Sequence, residues 1–130
     1  GPGYEAYLSA WEDSSLTSDV EKNIYTALHW DIIVPTFLAV QEAGNLNKGD
    51  LARAIREVTQ SPGKEVYTYT EGIKALKNGE SINFNGATGP VEFDKYGDCT
   101  GTWTLANVED GSFKTVDVLT ADQLNKYNPT

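Results

Sequence analysis

Chemistry in this sequence would have to come from a short inventory: one histidine, His29, one cysteine, Cys99, and 19 acidic side chains against 10 basic ones. A histidine acting as a general base needs a carboxylate or a nucleophile within hydrogen-bond reach. Asp31, its i+2 neighbour, points elsewhere on a helix, so His29 reads as a packing or surface residue. Cys99 begins a strand, and nothing in the sequence brings His29 to it as the base a thiol nucleophile requires. Asp94-Lys95-Tyr96-Gly97-Asp98 carries two carboxylates of a calcium loop, without the third in phase or the glutamate that closes a twelve-residue frame, and reads as a hairpin turn. Gly86-Ala87-Thr88-Gly89-Pro90 has the glycines of a phosphate loop but neither its Lys-Ser/Thr ending nor a following helix. No C-x-x-C or H-E-x-x-H spacing offers a metal cage. The expectation is a protein that is not an enzyme and holds no cofactor and no metal.

One pair has a different kind of chemistry. Trp30 followed by Asp31 inside an apolar helix offers a stacking surface and an ammonium partner to a bound zwitterion. The plainer alternative is a core tryptophan, with the carboxylate capping or bridging where Pro35 interrupts the helix.

Composition bounds the rest. The chain of 130 residues, 39% hydrophobic, is long enough for one domain with a modest core. A net charge of −9 with scattered cations excludes a basic patch, so nucleic acid and anionic membrane are poor partners. A single cysteine excludes an internal disulfide. The longest wholly apolar run, Ile32-Ile33-Val34, falls far short of the about 20 residues that span a bilayer. Gly1-Pro2-Gly3 has neither the charged start nor the apolar stretch of a signal peptide and reads as an expression scar. Residues 4–127 then form a single unit, with 128–130 as a frayed tail.

The elements that must position these residues follow from hydrophobic period. Tyr4, Tyr7, Leu8 and Trp11 fall at helical spacing. Ser18 or Asp19, with Glu21, caps a long second helix that runs through Asn23–Ala43 to Gly44 as its C′ residue, with a kink or broken turn expected at Pro35. Its apolar residues occupy two sides, Ile24, Leu28 and Ile32 on one and Trp30, Ile33, Phe37 and Val40 on another, so either the domain surrounds it on most sides or part of its packing partner is missing. Lys48–Thr59 is a surface helix with Leu51, Ala54, Ile55 and Val58 inward. A shorter helix starts near Thr70 and stops at Asn78-Gly79. Beyond Ser81 the period becomes two: Val91–Phe93, Cys99–Leu105 and Phe113–Leu119 read as three strands of an antiparallel meander, turning at 94–98 and 109–112. Thr120 caps a last short turn. The fold class is α+β, helices followed by a short antiparallel meander.

Three stretches also carry a resemblance. His29-Trp30-Asp31-Ile32 leading through Phe37–Gly44, then Leu51–Val58, then Asn83-Phe84-Asn85-Gly86-Ala87-Thr88-Gly89-Pro90-Val91-Glu92-Phe93-Asp94-Lys95-Tyr96-Gly97-Asp98-Cys99-Thr100-Gly101, resemble the C-terminal third of type I periplasmic solute-binding proteins. The nearest branch is the ABC-importer receptors for branched-chain and other amino acids or amides, with their Y-D-A helix and late D-G-A-S-G-P-V-x-F-D-x-x-G-D-x-x-G stretch. The similarity spans about residues 4–120. It departs at Trp30, where that family has Tyr, and at Ile32–Pro35, where small residues are usual.

The resemblance implies a parent of two α/β lobes closing on an amino acid, amide or similar small polar solute, in an extracytoplasmic location, and delivering it to a membrane ABC permease. It implies that the parallel strands completing each lobe are missing from this chain, and that the inherited pocket wall is confined to Tyr25, Ala27, His29, Trp30 and Asp31. The long helix would lose part of its cover, so the isolated chain is expected to form a homodimer or to exchange elements. Two other readings are a ligand-sensing domain of the same fold in a receptor or regulator, and a stand-alone protein-interaction module.

Overall fold

The computed structural model describes residues 1–14, 24–99, 101–120, 123, 124 and 126. Helix α1 spans Pro2–Glu12, α2 Ile24–Ala43, α3 Lys48–Thr59 and α4 Tyr69–Lys77. Strands β1 (Lys64–Val66), β2 (Ile82–Gly86) and β3 (Gly89–Pro90) form one sheet, and β4 (Trp103–Glu109) and β5 (Ser112–Leu119) form a second. The α+β expectation holds for this arrangement. The expected cap of the second helix at Ser18, Asp19 and Glu21 lies outside the described residues.

The helices follow their apolar period. In α3, Ala54 and Val58 are buried, Leu51 and Ile55 half-buried, and Arg53 is ion-paired to Glu57 one turn on at the surface. Thr68 opens α4 through a capping box: its hydroxyl accepts from the Glu71 N–H, and the Glu71 carboxylate accepts from the Thr68 N–H. Helix α2 ends as expected, with Gly44 at φ 67° and its N–H donating to the Val40 carbonyl. Of the kink or broken turn expected at Pro35, the broken turn does not occur. Helix α2 runs unbroken through Pro35, whose ring is fully buried, and the Thr36 hydroxyl donates back to the Ile32 carbonyl at 2.6 Å.

Two strand expectations are corrected. Lys64–Val66 forms a parallel pair with β2, Lys64 opposite Ile82 and Val66 opposite Phe84, joined by α4 as the crossover. The chain therefore contains a parallel strand pair where none was expected. Three residues are too short a run to show a period of two, and only Val66 of them is buried. The meander is also not continuous. Phe93 and Cys99 share a single antiparallel bridge around the 94–98 turn, while among the described residues β4 pairs only with β5. The backbone there is held by α3 instead: Gln60 Nε2 donates to the Phe93 carbonyl and Arg56 Nη1 to the Asp94 carbonyl at 2.9 Å, with the Arg56 guanidinium 5.8 Å from the Phe93 ring centre. The β4–β5 turn at Asp110-Gly111 forms as expected, both residues having positive φ, and the ladder carries a bulge at Leu105/Ala106.

The main core lies between α2, α3, α4 and the parallel strands, around Leu38, Ala54, Val58, Val66, Ile82 and Phe84. A smaller cluster of Tyr7, Ala27 and Ala87 seats α1 against α2 and the end of β2. Trp30 touches both. Thr68→Ala removes the hydroxyl half of the α4 capping box and is expected to cost about 1 kcal/mol, read as a lowered urea midpoint at unchanged slope.

Candidate functional site

The site is built on the buried turn of α2. Asp31, 6% exposed, takes three hydrogen bonds on its carboxylate: from the Ala87 N–H at 2.5 Å, the Thr88 N–H at 2.8 Å and the Thr88 hydroxyl at 2.6 Å. Ala87 and Thr88 form the tight turn between β2 and β3, whose N–H groups face away from the ladder and would otherwise be orphaned. This approach requires the neighbouring glycine. A Cβ on Gly86 would sit 2.2 Å from Asp31 Oδ1, and one on Gly3 would sit 2.0 Å from the Gly86 carbonyl oxygen. The first turn of α1, the end of β2 and the Asp31 carboxylate are thus stacked without room for a methyl group. Burial pushes the Asp31 carboxyl above its ordinary value of 3.8, opposed by the three donors.

Around this anchor the other expected site residues separate. Ala27 is buried in the small cluster with Tyr7 and Ala87. Trp30 packs edge-on against Tyr7, ring centres 5.8 Å apart, and its indole Nε1 is buried without a hydrogen-bond partner. Tyr25 and His29 are exposed one turn apart, with His29 Nδ1 2.5 Å from the Tyr25 carbonyl. Tyr25 and His29 therefore face solvent, Ala27 and Trp30 serve packing, and Asp31 secures the turn. Of about four acceptor positions on its carboxylate, three are used.

Beside Asp31 the structure opens into a groove of about 730 Å³, lined by Leu28, Ile32 and Thr36 of α2, Ile55 of α3, Phe93, and the stretch from Gly101 into β4. Asp31 alone of the five expected residues reaches its wall. Leu28, Ile32 and Thr36 recur every fourth residue, so the stripe was visible in the sequence; what covers it was not. Cys99 also borders the groove, where burial, and then the Asp94 and Asp98 carboxylates, push its thiol up. A thiol shifted that way is held further from its nucleophilic thiolate. Among the described residues no cluster of three metal-ligating side chains occurs, and no helix is long and apolar enough to cross a membrane. Comparisons with protein-family models, with curated proteins and with solved structures find no match to the chain.

Asp31→Asn places an amide donor against the N–H groups of the turn and is expected to cost about 1–3 kcal/mol at neutral pH. A carboxyl raised by folding holds its proton more tightly in the folded state, so its contribution to stability falls as pH rises from 3.8 through its own higher pKa. Urea unfolding of both proteins across the acid range should show the advantage of the wild type over Asp31→Asn largest at the acid end, shrinking as pH rises, then level.

Proposed function

We propose that this chain is the C-terminal segment of an extracytoplasmic solute-binding receptor of an ABC importer, a non-enzymatic protein whose parent captures an amino acid, amide or similar small polar solute for a membrane permease. The observation that carries the reading is the Asp31 anchor. Two of the sequence stretches that resemble this receptor family, 29–44 and 83–101, lie far apart in the chain, and Asp31 in the first is hydrogen-bonded to Ala87 and Thr88 in the second, 56 and 57 residues on. Similarity in two unrelated local stretches would have no reason to converge on one buried contact. The glycine of the late stretch, Gly86, has the role its type requires, giving the carboxylate room.

In this reading the residues that meet the solute are the exposed ones at the start of α2, Tyr25 and His29, while Ala27, Trp30 and Asp31 hold that turn in place.

The test is thermal unfolding of the longest product of the gene against a panel of amino acids and amides. A true ligand at about 100 times its dissociation constant adds roughly 2.7 kcal/mol of stability. Stabilisation by one class of solute, reduced by His29→Ala, is the expected result. A panel that leaves the melting temperature unchanged contradicts the receptor reading.

A further inference from the structure

Among the described residues the β4–β5 hairpin pairs with no other strand, and every residue of β4 except Ala106 is exposed. A two-stranded ribbon alone is marginal in water and needs further strands or a helix against it. The two outer edges of this ribbon differ. On β5 the ladder skips Val116, which bulges, Lys114 and Asp117 place charges along the strand, and the Val118 N–H already donates to the Asp117 carboxylate at 2.8 Å. Bulges and charges are the devices by which an edge strand avoids a neighbour. Strand β4 has no proline and no bulged residue, and its one ionised side chain, Glu109 at its end, is held by Lys114 at 3.1 Å. Alternate residues of β4 therefore turn their N–H and C=O groups outward along an unguarded edge.

We infer that the open edge of β4 pairs antiparallel with β4 of a second copy of this chain, about a two-fold axis at Ala106, joining two hairpins into one four-stranded sheet. The inference does not rest on the receptor reading. A residue on a two-fold axis meets itself, and Ala106 brings neither charge nor bulk there. Around it the register sets Thr104 opposite Val108 of the second copy and Leu105 opposite its Asn107, so no like charges face each other. Thr104, Ala106 and Val108 share a face with Phe113 and Val118 in each hairpin, and none of these side chains is ionised. The antiparallel direction also answers the repulsion between two chains of −9. It lays the acidic tip of each hairpin, Glu109-Asp110, beside the base of the other, about 20 Å from its counterpart, well past the Debye length of about 8–10 Å. Asp117 stays on the outer strands of the four. A parallel pairing would bring the two acidic tips together.

The experiment is analytical ultracentrifugation of the full chain and of Ala106→Glu and Ala106→Lys, alone and mixed, with circular dichroism to confirm folding. Thr115→Glu, on the same face of the hairpin but on β5, is the control. The wild type should form a concentration-dependent dimer. Each Ala106 variant alone sets like charges against each other at the axis and should weaken the dimer by roughly tenfold or more, while their equimolar mixture sets opposite charges there and should recover it. Thr115→Glu should leave the dimer nearly unchanged. Amide exchange on the wild type reads the edge without a substitution: the β4 amides turned away from β5 should gain protection as concentration rises, and the outward amides of β5 should not. A wild-type chain that stays monomeric at every concentration overturns the proposal. So does a dimer that the Ala106 variants leave intact, one that their mixture does not restore, or one whose outward β4 amides exchange as freely as the monomer's.

Discussion

The structure depends on how one carboxylate is satisfied. Asp31 is placed inside the molecule by a helix apolar on most of its circumference, and a buried carboxylate is tolerated only when its oxygens are met by donors. Those donors come from a turn more than fifty residues away, Ala87 and Thr88, whose own N–H groups needed acceptors. Each half resolves the other's deficit. The contact therefore does more than add hydrogen bonds: it sets where the end of β2 meets α2, and through the packed backbone at Gly86 and Gly3 it sets where α1 lies.

Once that orientation is set, the remaining sides of α2 have different fates. The side carrying Val34, Leu38 and Ala39 enters the main core against α3, α4 and the parallel strands, and Ala27 and Trp30 receive Tyr7 from α1. The flank carrying Leu28, Ile32 and Thr36 becomes the wall of an open groove. The same helix thus anchors the fold and presents an exposed apolar flank.

Much of this was legible in the sequence where local signals agree. The Lys48–Thr59 helix, the Gly44 terminus and the Asp110-Gly111 turn all follow from period, capping and backbone conformation within a few residues. The parallel strand β1 was not legible, because three residues with one buried side chain show no period, and their partner is supplied through α4. A strand of the meander was expected from the alternation of Val91 to Asp94, and only the single Phe93–Cys99 bridge forms, with Arg56 and Gln60 holding the backbone at Asp94 and Phe93. At the site, Trp30-Asp31 was singled out as a stacking surface with an ammonium partner, and the structure packs Trp30 against Tyr7 and turns the Asp31 carboxylate to the Ala87-Thr88 turn. Its partner Gly86-Ala87-Thr88-Gly89 was noticed separately, as a loop whose glycines serve the backbone. What joins them is a tertiary hydrogen-bond demand, which no spacing within either stretch expresses.

The most direct test of this account is amide hydrogen exchange at Ala87 and Thr88 in the wild type and in Asp31→Asn. If the carboxylate is what holds the turn, both amides are protected in the wild type and lose that protection in the variant, while Phe84 in β2 and Val58 in α3 keep theirs. Unchanged protection at Ala87 and Thr88 would show that the turn stands without Asp31 and would contradict the account.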